Sequence, residues 1–262
     1  MTAQAAPVIA IAGARKTYAT GTAALAPVDL TVRPGEFLTL LGPSGCGKTT
    51  LLNLIAGLLP SDAGAIRWWG EGHDATGVPG RRLAMVFQAP TLMPWARIDA
   101  NVRLPLDLAG APRADADRDV TAALALVGLA DCARRFPREL SGGMQMRASI
   151  ARALVTSPDL LLMDEPFGAL DEFTRQRLDG ELLSLWAARG LTVVFVTHSI
   201  VEAVFLSTRV VVMATRPGRV IAEVAIDEPH PRTETFRLAP AFAGYAQRLS
   251  SLVADAAAGV RR

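Results

Sequence analysis

The stretch Gly42-Pro43-Ser44-Gly45-Cys46-Gly47-Lys48-Thr49-Thr50 contains, from Gly42 to Thr49, the pattern G-x-x-x-x-G-K-[ST], which grips phosphate. The chemistry follows from the residue types. Gly42, Gly45 and Gly47 let the backbone curl until successive N–H groups, with those of the helix N-terminus that follows, face phosphate oxygens. Lys48 supplies a compact cation at the β and γ phosphates, and the Thr49 hydroxyl a ligand for Mg²⁺. Only Lys16 and Lys48 are lysines; the other 25 basic residues are arginines. A chain that uses arginine almost everywhere keeps lysine where a planar, forked guanidinium does not fit a tight loop.

Other stretches carry groups suited to the same chemistry. Leu160-Leu161-Leu162-Met163-Asp164-Glu165 is an apolar run ending in two carboxylates. Such a run is a strand buried on both faces, as in a parallel sheet, and ligands bind beyond the carboxyl ends of these strands. Asp164 is then placed to hold Mg²⁺ through water, and Glu165 to accept a proton from an attacking water. Thr192 to Thr197 is built the same way and delivers His198 to the same edge, beside the γ phosphate, although a lone histidine also fits a structural role. Leu83 to Phe87 reads as another buried strand. It hands Gln88 to a loop containing Pro90, Pro94 and Trp95, where a glutamine either reaches Mg²⁺ or the attacking water or faces solvent. In Ser141-Gly142-Gly143-Met144-Gln145, Ser141 can N-cap a helix running to about Thr156, with Ile150, Ala151 and Leu154 turned inward. Two glycines at its start weaken it by about 1 kcal/mol each relative to alanine. Close approach of an anion to bare N–H groups would compensate, an ordinary capped helix being the alternative.

These groups need positioning elements. Phe37 to Leu41 is the strand before the phosphate loop, and Leu51 to Leu58 lies in the helix after it. Val8 to Ala14 and Val28 to Val32 are short strands with Tyr18 between them, an aromatic that either packs or stacks on adenine. Ser61 to Gly64 reads as a turn before a strand from Ala65 to Trp69. From Arg97 to Phe136 alanine, leucine, arginine and aspartate dominate, which points to a helical insertion, with Pro137 stopping its last helix. Phe173 to Arg189 is a helix ended by Gly190, Arg209 to Ala214 a strand, Arg216-Pro217-Gly218-Arg219 a tight turn, and Phe242 to Val253 a packed helix.

Length and composition suit one large α/β domain with an inserted part: 262 residues, half of them hydrophobic, with a formal charge of +2. The scattered basic residues give no footprint for nucleic acid. No apolar run approaches the roughly 18 to 20 residues needed to span a bilayer, and Met1 to Pro7 is no export signal, so the expectation is a soluble chain that is not exported. Two cysteines, Cys46 and Cys132, make no disulfide framework, and Cys46 reads as a small filler.

The combination resembles the ATP-binding subunits of ABC transporters along nearly the whole chain. Walker A is Gly42 to Thr49, the Q-loop glutamine Gln88, and the signature Leu140-Ser141-Gly142-Gly143-Met144-Gln145. Walker B is Leu160 to Asp164 followed by the catalytic Glu165, the D-loop Ala169-Leu170-Asp171, and the switch histidine His198. Tyr18, 24 residues before Gly42, matches the adenine-stacking aromatic.

The resemblance implies a P-loop core of mainly parallel sheet (8–96 and 157–225) with an antiparallel β subdomain, a helical subdomain over 97–156, and a tail with a helix over 226–262. It implies ATP and Mg²⁺ as ligands. Pro43, Ser44, Cys46, Thr50, Ser141, Gly142, Gly143, Gln145 and Asp171 join the nucleotide contacts, and Thr49, Gln88 and Asp164 the metal. One Walker A and one signature per chain imply a second copy, with two ATP molecules between them. Further implied partners are a membrane-spanning permease and, indirectly, an extracytoplasmic solute-binding protein, with the chain peripheral on the cytoplasmic face of the cell membrane.

Leu92-Met93-Pro94-Trp95, Glu165 to Asp171, Glu202 to Leu206 and Arg216 to Val220 look like the nitrate, sulfonate, taurine and bicarbonate importer branch. Ser199, Met146 and Thr208 depart from it, since aspartate, glutamine and aspartate are commoner there. The stretch after His198 leaves no room for the regulatory domain of sugar importers.

A soluble ABC ATPase acting on DNA or ribosomes would bring coiled-coil insertions or a second nucleotide domain. A guanine-specific Asn-Lys-x-Asp is excluded by the positions of the two lysines, and a small-molecule kinase leaves Ser141-Gly142-Gly143 unexplained.

Overall fold

In the computed structural model, which describes residues 6–72, 81–230 and 232–258, the chain begins with β1 (Ile9–Thr17), β2 (Ala23–Val32) and β3 (Phe37–Leu41), then α1 (Lys48–Ile55). β4 (Ala63–Trp68), β5 (Glu71–Gly72) and β6 (Leu83–Val86) precede three helices, α2 (Ile98–Leu108), α3 (Arg113–Leu126) and α4 (Gly142–Leu154). The chain continues through β7 (Leu160–Asp164), α5 (Glu172–Arg189), β8 (Thr192–Thr197), α6 (Ile200–Leu206), β9 (Arg209–Ala214) and β10 (Arg219–Ala225). It closes on α7 (Glu234–Arg237) and α8 (Pro240–Ala258).

Two sheets result. The six-stranded sheet has the order β10-β9-β3-β8-β7-β6, parallel except for β10. β3, β7, β8 and β9 are buried along their whole length, as continuous apolar runs require when both faces are covered. Alternate residues serve two cores. Leu161, Met163, Val193, Phe195, Val210 and Val212 face the core shared with α2 to α6 and α8. Leu160, Leu162, Val194, Val196, Val211 and Met213 face the core made with α1 and the second sheet. That second sheet is antiparallel, in the order β2-β1-β4-β5, and most of β1 and β2 alternates between buried and exposed residues.

Three local expectations change. β6 is half exposed, with only Val86 fully buried, because it is the edge strand of its sheet. Ala63 and Gly64 belong to β4 and not to a turn. Gly64 has φ +81°, and a Cβ there would fall on the Gly13 carbonyl, so this glycine permits close strand approach where the β1–β4 register shifts. Pro137 opens a 3₁₀ turn, Pro137–Glu139, instead of stopping a helix.

Two buried side chains fasten irregular backbone. Asn101 of α2 donates to the carbonyls of Met93, Ala96 and Arg97 and accepts from the Met93 N–H. Arg232 donates to the carbonyls of Val204, Phe205 and Ser207, satisfying the end of α6, and to those of Ile226 and Glu228. Burial lowers the Arg232 pKa to about 10.

Nearby, Arg237 bonds Asp179 of α5 at 2.8 Å and lies 3.8 Å above the Phe205 ring. Burial, helped by the Glu202 charge and opposed by Arg237, pushes the Asp179 carboxyl from 3.8 to about 7. A carboxyl that holds its proton more tightly when folded stabilises most below its unfolded pKa, and that contribution is lost as pH rises through the folded pKa. The Tm of the wild type minus that of Asp179→Asn is therefore expected to fall between about pH 4 and pH 7 and then level off. A difference independent of pH would refute the assignment.

Candidate active site

The phosphate loop joins the carboxyl end of β3 to the start of α1. Gly45 and Gly47 have φ +75° and +90°, the left-handed region that favours glycine. Gly42 is required for a different reason: a Cβ there would lie 2.5 Å from the Met213 carbonyl oxygen and 2.8 Å from Cys46 Sγ. Cys46 is fully buried beneath the loop, the filler its sequence context indicates. Pro43, Ser44 and Gly45 line the wall of a cleft of about 1020 Å³ shared with Arg216 and the end of α8.

Lys48 is 5 % exposed, and its Nζ donates to the carbonyls of Gly42 (2.9 Å) and Pro43 (3.2 Å). It also lies 3.6 Å from Glu165 Oε1. The other lysine, Lys16, is structural, bound to Asp62 and to the Pro60 carbonyl at 2.8 Å each.

The parallel register brings the ends of β7 and β8 to the same edge. Thr49 Oγ1 donates to Asp164 Oδ1 at 3.1 Å. Burial raises the Asp164 pKa, the Thr49 hydrogen bond lowers it, and the Glu165 charge raises it again. This hydroxyl and carboxylate form the hard oxygen donor set that Mg²⁺ takes alongside phosphate oxygens and water. Glu165 has φ +43°, unusual for a residue with a side chain, and its N–H donates to the Val196 carbonyl. Its carboxylate lies between Lys48 on Oε1 and His198 Nδ1, 3.0 Å from Oε2. Half-exposed, His198 can face both Glu165 and a phosphate.

Gln88 is exposed two residues beyond Val86, which pairs with Met163; Glu165 stands two residues beyond Met163, so both reach the same edge. Tyr18 is 39 % exposed, and its hydroxyl lies 3.1 Å from Thr50 Oγ1 at the first turn of α1. The aromatic therefore borders the phosphate loop, with its ring accessible.

Ser141 N-caps α4, accepting from the Met144 N–H at 3.3 Å, and Gln145 Nε2 donates to the Leu140 carbonyl. The first N–H groups of a helix have no intrahelical acceptor, so those of Gly142 and Gly143 are available. Among the described residues no hydrogen bond joins Ser141 to Gln145 with the phosphate loop of the same chain. These glycines instead approach the loop after Glu165: a Cβ on Gly143 would lie 2.9 Å from Thr174 Cγ2 and 3.9 Å from Leu170 Cδ2. Asp171 is the N-cap of α5, accepting from the Thr174 N–H at 3.0 Å, and that bond holds its carboxyl below the usual range.

The contacts of several residues around the site were not legible in the sequence. Arg152, near the end of α4, donates to the carbonyls of Pro90 and Thr91 and to Thr91 Oγ1, holding the loop that follows Gln88. Arg175, Thr197 and Glu202 surround the segments that carry Leu170 and His198. The spacing Ser199-x-x-Glu202 is the one local signal for the last of these.

The three departures have structural roles. Ser199 N-caps α6 by accepting from the Glu202 N–H, which an aspartate would also do. The Thr208 hydroxyl donates to the Phe37 carbonyl and accepts from its N–H, and Met146 is core.

A family model described as ABC transporter matches residues 25–168. The taurine import ATP-binding protein TauB of Rhizobium johnstonii is 44% identical over 235 residues, 88% of each chain. Among solved structures, cbiO1 of Clostridium perfringens, part of the ABC transporter complex cbiONQ, superposes with a TM-score of 0.78 at 25% identity, covering 92% of this chain and 99% of that one. A dimeric ATP-binding cassette, MJ0796, in a post-hydrolysis state with ADP and Pi superposes with a TM-score of 0.73 at 31% identity over 84% of this chain and all of that one.

Proposed function

This chain belongs to the ABC transporter family as an ATPase subunit, and from that premise we propose that two copies clamp two ATP molecules with Mg²⁺ and drive uptake of a sulfonate such as taurine. The observation that carries the sulfonate reading is the 44% identity to a taurine import ATP-binding protein over 88% of both chains. Nitrate and bicarbonate are the other anions that the sequence motifs allow.

In this reading Tyr18 stacks on adenine, the loop amides from Gly42 to Gly47 cradle the phosphates, and Lys48 turns from its loop carbonyls to the β and γ phosphates. Mg²⁺, held by Thr49, Asp164 and Gln88, would neutralise phosphate charge. Glu165 takes a proton from water as that water attacks the γ phosphorus, the bond to the bridging oxygen breaks, and ADP and phosphate leave. His198 orients the γ phosphate and Glu165 together, a role its 3.0 Å contact supports. Gly142 and Gly143 of a second copy offer N–H groups to the same phosphate, with Ser141, Gln145 and Asp171 at that seam.

No helix among the described residues is long and apolar enough to cross a membrane, so translocation falls to a permease. A cleft of about 410 Å³ beside the edge strand β6, flanked by the exposed Phe87 and Leu108 and by Leu104, suits an apolar segment of that partner on the cytoplasmic face.

The complex purified with its permease and reconstituted with a solute-binding protein tests the reading. Taurine should raise the ATPase rate severalfold. Stimulation by an unrelated solute and not by taurine or another small anion would overturn the choice of substrate.

A further inference from the structure

Thr197, the last residue of β8, sits at the centre of a short relay. Its hydroxyl donates to Glu202 Oε2 and accepts from the Ser199 N–H at 2.9 Å, so residues 197 and 199 are tied across His198. In an ordinary capping box the glutamate would take the N-cap N–H itself. Here the Thr197 hydroxyl is inserted between them, and the carboxylate of α6 governs the turn that presents His198.

The other Glu202 oxygen lies 3.6 Å from Arg175 Nε. Arg175 in turn donates to the Leu170 carbonyl at 3.0 Å, and Leu170 lies under the first glycines of α4. One carboxylate oxygen is thus hydrogen-bonded beside His198 and the other is at ion-pair distance from the arginine that holds Leu170, and Glu202 is 4 % exposed.

We infer that Glu202 and Arg175 are positioning residues that hold His198 against Glu165 and tie that geometry to Leu170 beneath Gly142 and Gly143. The inference rests on the ATPase reading above and deepens it. His198 serves the nucleotide of its own chain, whereas Gly142 and Gly143 serve the neighbour's. The relay therefore runs from the group that faces one site to the loop beneath the groups that face the other.

The full chain carrying Thr197→Val, Thr197→Ser, Glu202→Gln, Arg175→Met, or the last two together tests this through kcat, KM, ATP binding and Tm. Thr197→Val should lower kcat by about tenfold to a hundredfold with KM changed by less than about twofold, as misplacement of a catalytic group does. Thr197→Ser should restore it. Glu202→Gln and Arg175→Met should each lower kcat, and the double variant should fall no further than the worse single, because both break one chain of contacts. Wild-type kcat in Thr197→Val, no rescue by serine, or fully multiplicative losses in the double variant would overturn the inference. If Thr197→Val does not fold, Glu202→Gln, which keeps the side chain's size, decides it: an unchanged kcat refutes. Absence of turnover in the wild type would instead overturn the ATPase reading itself.

Discussion

Glu165→Gln is expected to slow ATP hydrolysis by about 10² to 10⁴, the usual worth of a general base, while ATP still binds. The substitution keeps the size and the hydrogen-bonding reach of the side chain and removes only its capacity to accept a proton. In the wild type, Glu165 faces Lys48 at 3.6 Å and His198 at 3.0 Å, so the glutamine retains neighbours that hold it in place. Because cleavage is what releases the proposed clamp, the variant should also accumulate as an ATP-bound dimer, visible by size exclusion at saturating nucleotide. A variant that turns over within about tenfold of wild type would remove Glu165 from the role of base.

Lys48→Ala should reduce kcat/KM by at least about 10² to 10³, the loss seen when one preorganised donor to developing negative charge is deleted. Unlike Glu165→Gln, it should also weaken ATP binding, because the lysine contacts phosphates in both the ground and transition states. The protein should remain folded, since Lys48 bonds only loop carbonyls and one carboxylate. Titration with a fluorescent ATP analogue separates the two variants: tight binding without turnover for Glu165→Gln, weak binding for Lys48→Ala. Equal affinity in both would contradict the placement of the ammonium at the phosphates.

The edge on which these candidate groups meet was legible because its parts are local. β3, β7 and β8 announce themselves as short, mostly apolar runs, and in a parallel sheet the end of each run stands at the ligand-binding edge. Asp164, Glu165 and His198 need no more information than that. The edge position of β6 was not legible, since an apolar strand in sequence looks the same at the centre of a sheet as at its border. Gly64 misled for a related reason: a positive φ serves a turn or a close strand crossing equally, and only the register with β1 tells which.

Least legible were the long-range polar contacts. Arg232 reaches Val204 across 28 residues, and Arg237 reaches Asp179 across 58. In the sequence these arginines lie in a polar tail and resemble solvated surface. Arg175 was hidden in the same way, because an arginine one turn inside a helix advertises nothing about the carbonyl it holds.

α4 has Ser141 at one end and Arg152, gripping Thr91, near the other. Eleven residues of α-helix separate these two points by roughly 16 Å. The helix is in effect a stiff strut between the mouth of the β6 cleft and the proposed seam between two copies. A displacement imposed on Thr91 would arrive at Ser141 with little loss and need not travel through the nucleotide at all.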